Sequence, residues 1–219
     1  MRSVAVLLAC LGVTEGIALA GSRPILLRLA VETPLGASER APRAVAWAVT
    51  LPPLDVVSFD QRARATVRLY APDGAIDGGA RAELERVAAS GDGEVHPLSV
   101  RVEQLLVKAA HHFRRSRVVL LSAWRAHAGR HATGEALDFQ LDGVRAATLA
   151  AYLRGLPRAG VGVYTHPRTQ FVHLDVRDES YHWIDASPPG VHWRERQLRD
   201  PGAKKRDAAW SPEQDLPSD

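Results

Sequence analysis

His131-Ala-Thr-Gly134-Glu135-Ala136-Leu137-Asp138 is answered downstream by Gln170-Phe171-Val172-His173-Leu174-Asp175, and the fold is read outward from these two stretches. From Glu135 to Leu141 the residues alternate: Leu137, Phe139 and Leu141 fall on one face of a strand, and Ala136, Asp138 and Gln140 on the other. From Phe171 to Arg177 they alternate again, with Val172, Leu174 and Val176 opposite His173, Asp175 and Arg177. Two such strands side by side bury their aliphatic faces and bring Asp138 and His173 onto a shared polar face. Gly134 allows the tight turn that folds His131 back towards Asp138. Two imidazoles and a carboxylate are the donor types of a catalytic zinc site, which takes three protein ligands and leaves a fourth position for water. The single cysteine, Cys10, excludes a thiolate-rich site and an internal disulfide framework.

Around these stretches stand Ser122-Ala-Trp-Arg125, Gly160-Val-Gly162-Val-Tyr164 and Trp183. In order and spacing the set resembles the zinc D,D-/L,D-peptidase superfamily. That superfamily contains the D-alanyl-D-alanine metallocarboxypeptidases, the vancomycin-resistance dipeptidases and the hedgehog domain. The nearest branch is that of the murein endopeptidases typified by MepK. The resemblance runs over roughly residues 67–183. It implies an α+β fold in which a small antiparallel sheet carries the zinc site and packs against a few helices. It also implies His131, Asp138 and His173 as metal ligands, Arg125 as a catalytic and substrate-binding arginine, and peptidoglycan peptides as substrate. Two departures stand out: Gly129 replaces a serine common in relatives, and Gln170 stands where the dipeptidases carry an acidic general base.

A neutral amide cannot serve as that base. Asp175, on the same strand face as His173, is the first candidate for proton transfer, with His182 and His166 behind it. The competing reading makes Asp175 a support that fixes the His173 ring. Ser122 and Tyr164 are expected to contact substrate; a tyrosine in Tyr164's place otherwise simply packs.

With 219 residues, the chain suits one domain with appendages. Residues 1–20 read as an export signal: Arg2, an apolar run from Val4 to Val13, and Ala18-Leu-Ala20 before Gly21. The apolar run is too short for an ordinary membrane span. Residues 21–60 form an extension of unknown structure, 61–199 the peptidase-like domain, and 200–219 a loose Pro-, Lys- and Asp-rich tail. The formal net charge is +3. Its arginines are scattered among acids rather than gathered in a stripe, which argues against nucleic acid and suits an exported protein near an anionic wall. Strands are expected at residues 45–49, 54–58, 65–70, 118–121 and 161–164. Helices are expected at 78–90, at 99–113 with Ser99 as its cap, and at 143–156. The resulting function is metal-assisted hydrolysis of peptidoglycan amide bonds at a periplasmic or cell-envelope location. The alternative is a zinc-containing wall-binding module without turnover.

Overall fold

A computed structural model describes residues 51–60, 62–89, 93–191 and 195–217. The expected signal segment and the strand expected at 45–49 lie outside the described residues. Among the described residues, eight strands form one sheet: β1 (Leu54–Ser58), β2 (Arg64–Val67), β3 (Arg117–Ser122), β4 (Ala136–Leu141), β5 (Ala159–Tyr164), β6 (Val172–Val176), β7 (Tyr181–Asp185) and β8 (Glu195–Leu198). Four α-helices accompany them there: α1 (Gly78–Val87), α2 (Val100–His112), α3 (Ala146–Leu153) and α4 (Ala203–Ala208).

The strand order is β2-β1-β3-β4-β6-β5-β7-β8. This corrects the expectation of a small antiparallel sheet. The sheet is large and mixed, because β1 runs parallel to β3 and β5 parallel to β7. Parallel neighbours need a long crossover, and β2, α1 and α2 supply it between β1 and β3. The sheet also begins at Leu54, upstream of the boundary expected at residue 61.

Helices α1, α2 and α3 share one buried cluster with the sheet. Val102, Leu105, Leu106, Ala109 and Ala110 of α2 are buried in one cluster with Leu137, Phe139, Val172 and Leu174 of the two central strands. Leu149 and Leu153 of α3 join that cluster. The aliphatic halves of β4 and β6 are therefore turned towards the helices, and their polar halves towards the opposite face. Leu137 stands against Leu174 and Phe139 against Val172. That register follows from the pleat once the aliphatic side is buried.

One local expectation changes. The Ser99 side chain does not cap α2; its backbone N–H instead donates to Gly134 O at 2.9 Å, tying the helix start to the turn before β4. Glu103, in the first turn of α2, is buried and accepts from Arg81 Nε at 2.6 Å, joining α2 to α1.

The segment read as a loose tail is packed. Asp207 of α4 is buried and accepts three hydrogen bonds, from Arg158 N at 2.6 Å and from Ser180 N and Oγ at 2.7 Å each. Arg101 of α2 pairs with buried Asp215 at 2.8 Å, and Lys108 Nζ donates to Leu216 O at 2.6 Å. The guanidinium groups of Arg101 and Arg158 lie 4.9 and 4.6 Å from the Trp210 ring centre. The composition suggested solvation, but these charges find partners on α2 and beside β5 and β7. Replacing Asp207 with Ala orphans its donors and is expected to cost about 3 kcal/mol. Thermal unfolding should then fall by roughly 6–12 °C for a chain of this size; an unchanged melting temperature contradicts the packed tail.

Candidate metal centre

Asp138 of β4 and His173 of β6 are direct cross-strand partners, so both side chains leave the sheet on the face away from the helices. His131 reaches the same point from a short 3-10 turn, Gly129–His131, that precedes β4. The turn back into β4 depends on Gly134, which has φ +70° and whose Cα hydrogen faces the Pro97 carbonyl; any Cβ there would overlap that oxygen. All three side chains are buried.

Their donor atoms converge. His131 Nε2 lies 3.2 Å from His173 Nδ1 and 3.5 Å from Asp138 Oδ1, and His173 Nδ1 lies 2.8 Å from Asp138 Oδ1. Three ligands at zinc bond lengths in tetrahedral array stand about 3.3 Å apart. The opposite ring nitrogens are already engaged. His131 Nδ1 meets the Ala123 carbonyl, and His173 Nε2 lies 3.0 Å from Asp175 Oδ2. A carbonyl can only accept, so His131 carries its proton on Nδ1 and turns the Nε2 lone pair inward. Asp175 holds a proton on His173 Nε2 in the same way, so Nδ1 is the atom turned to Asp138 and His131. Two inward-facing imidazole nitrogens and one carboxylate directed at a single point fit a zinc ion, which would displace any proton between them.

Charge in the cluster is mutually supporting. Burial pushes the Asp138 carboxyl up, but hydrogen bonds from His131 and His173 outweigh it and hold the group well below the usual carboxylate range. Burial pushes His173 down, yet Asp138 and Asp175 together raise it above the ordinary imidazole value.

The chain after β3 wraps the centre. Ser122 is half-buried, pairs with Asp138 across the sheet and sits at an irregularity in the β3–β4 register. Trp124 Nε1 donates to Ala132 O at 3.1 Å, pinning this loop to the one that carries His131. Arg125 Nη2 donates to the outer carboxylate oxygen of Asp138, Oδ2, at 3.0 Å, while half the arginine side chain stays exposed. A cleft runs from Arg125, Trp124 and Ser122 along the end of β3 towards Phe59 of the loop after β1 and Val87 and Ala88 at the end of α1; His131, Asp138 and His173 do not line it.

The glycines of β5 explain how these side chains fit. Gly160 is paired with Asp175 and Gly162 with His173. A Cβ on Gly160 would overlap the Asp175 carboxylate, and one on Gly162 would overlap the Trp183 indole. Trp183 lies tilted beside His173, with ring centres 4.9 Å apart. Gly162→Ala is expected to displace this indole at a cost of about 1–3 kcal/mol from overpacking. Thermal unfolding of the variant measures it, and an unchanged melting temperature speaks against the contact.

The other expected residues divide. Tyr164 ends β5 half-buried, stacked on Phe171 with ring centres 4.1 Å apart, and burial pushes its hydroxyl up to about 12. His182 is not at the centre. Its neighbour Trp183 occupies the face towards His173, so His182 points the other way, and its Nδ1 lies 3.4 Å from Asp200. His166 stands in the turn between β5 and β6 and accepts from Arg168 N at 3.2 Å. Gln170 is exposed, with φ +34°. Asp175 is not placed as a base beside the metal position. Its carboxylate lies on the far side of the His173 ring, clamped by Arg177. Sequence reading missed Arg177 and the Ala123 carbonyl. The first carried a signal, because Arg177 continues the polar face of His173 and Asp175; a backbone acceptor carries none.

In class, this is an α+β protein whose central sheet carries a buried two-imidazole, one-carboxylate group able to hold a metal ion. A family model described as Peptidoglycan L,D-endopeptidase MepK matches residues 109–183, from α2 through β7. Over that segment the sequence is similar to that family, and the match supports a peptidoglycan peptidase in general. No curated protein and no solved structure matches the chain. Among the described residues, no helix is long and apolar enough to cross a membrane.

Proposed function

We propose that this protein is an exported, zinc-dependent peptidase that hydrolyses amide bonds in peptidoglycan stem peptides or cross-links. The observation that carries the reading is the convergence of His131 Nε2, His173 Nδ1 and Asp138 Oδ1, with both imidazole tautomers set for a metal by their outer hydrogen bonds. When bound there, zinc supplies Lewis acidity towards the scissile carbonyl and makes water acidic enough to attack near neutral pH.

The chain's own residues do the rest. His131, Asp138 and His173 hold the ion. Arg125 holds the outer oxygen of Asp138 while half of its side chain stays exposed, so its guanidinium can also bind the substrate carbonyl and the negative charge that grows on it. Ser122 and Tyr164 flank the centre as substrate contacts. Asp175 supports the His173 ring; the geometry favours that role over the alternative of general base.

The test is incubation of the purified protein with muropeptides, with and without a chelator, and mass analysis of the products. Chelator-sensitive cleavage restored by zinc is expected, and the released fragments distinguish endopeptidase from carboxypeptidase action. Zinc-loaded protein that binds muropeptides without cutting them supports the wall-binding module instead. Export is tested by fractionation with N-terminal sequencing, which should find a chain beginning at or near Gly21. A cytoplasmic chain retaining residues 1–20 overturns the export reading.

A further inference from the structure

We infer that Arg177 is a positioning residue of the metal centre, acting through Asp175 to fix the ring of His173. This rests on the proposed metal-binding role of His173, which the experiment below tests separately.

Arg177 follows Asp175 by two residues and shares its strand face. Its guanidinium grips the carboxylate with both arms: Nε donates to Asp175 Oδ1 at 2.6 Å and Nη2 donates to Oδ2. Asp175 is almost fully buried, at 1% exposure, so water does not hold its carboxylate in place. The fork sets the plane of the carboxylate, and Oδ2 is left aimed at His173 Nε2, 3.0 Å away. An imidazole proton is thereby held on Nε2, and Nδ1 is turned to His131 and Asp138. Rotating the ring by half a turn would abandon that hydrogen bond.

Three features hold Arg177 itself. Its guanidinium lies 5.4 Å from the Tyr181 ring centre, and its backbone N–H donates to Arg158 O at 3.1 Å. Gly160 completes the fit, since a Cβ there would overlap both the Asp175 carboxylate and Arg177 Nη2. The order is therefore Arg177 to Asp175 to His173 to the metal position, each link a hydrogen bond except the last. A planar fork matches a carboxylate in a way a lysine ammonium cannot. Outer partners of metal-bound histidines commonly govern metal affinity on a scale of about 10–100-fold.

The test compares wild type, Arg177→Met and Arg177→Lys by three measurements: zinc affinity by competition with a chromophoric chelator, thermal unfolding, and 15N NMR of the imidazoles in metal-free protein. Wild type should show a proton on His173 Nε2 that is protected from exchange with solvent. Arg177→Met should bind zinc about 10–100-fold more weakly, with the His173 Nε2–H signal lost or broadened by exchange and His131 unchanged. Arg177→Lys keeps the charge without the fork and should recover only part of the affinity; it also serves if the Met variant does not fold. A variant that melts lower but keeps the wild-type Nε2–H signal and affinity overturns the inference, because its arginine was then only a structural ion pair. Wild-type protein that binds no zinc refutes the metal reading instead, and the metal-free NMR comparison still judges Arg177.

Discussion

His173→Ala is expected to reduce bound zinc from about one ion per chain to almost none, and to abolish muropeptide cleavage with it. The side chain supplies one of only three donors, and it is also the hydrogen-bond partner of both Asp138 and Asp175. Its loss leaves two buried carboxylates each with one partner fewer. His131→Ala and Asp138→Ala should behave alike, because zinc bound by two protein ligands has neither the affinity nor the geometry of a three-ligand site. Metal analysis of the dialysed proteins, alongside circular dichroism to establish folding, decides the matter. A folded His173→Ala protein that keeps its full zinc shows that the ion binds elsewhere.

Arg125→Ala should leave zinc bound and lower cleavage by about 10²–10³-fold, the scale for losing one donor to a developing oxyanion. Arg125 spends one N–H on Asp138 Oδ2, on the side of that carboxylate away from the metal position. Half of the arginine side chain remains exposed and open to substrate. Arg125→Lys should be restored only slightly, since a point charge does not reproduce a planar fork that must serve Asp138 and substrate together. Steady-state kinetics on muropeptides and zinc analysis of the same samples test both variants. Zinc loss in Arg125→Ala would mark the arginine as support for Asp138 alone, and normal turnover would remove it from the chemistry.

Much of this site was legible in one dimension. The period-two alternation at 135–141 and 171–177 predicts which side of each strand is apolar, because a strand half-buried against helices must sort its residues that way. It follows that Asp138 and His173 share the other side, and β4 and β6 bear this out as direct partners. Gly134 was legible for a similar reason: a turn that reverses so tightly needs a positive φ, which glycine adopts without strain. Residue chemistry also restricted the donors to imidazole and carboxylate, since Cys10 is the only thiol.

Other features were decided only in three dimensions. The extent of the sheet depended on β1 docking in parallel on β3 across a long crossover, a pairing with no local signature. The packed state of residues 200–217 depended on Asp207, Asp215 and the Leu216 carbonyl meeting donors on distant elements; the composition alone described a solvated segment. Asp175 is the clearest case. Its position two residues after His173 places it on the correct face, but strand periodicity says nothing about which ring nitrogen it meets. That depended on the rotation of the His173 ring, on the grip of Arg177, and on the space left by Gly160 in the neighbouring strand. Periodicity is a property of the backbone repeat and can be read along the chain, whereas the direction of a hydrogen bond is set by side chains brought together from separate strands.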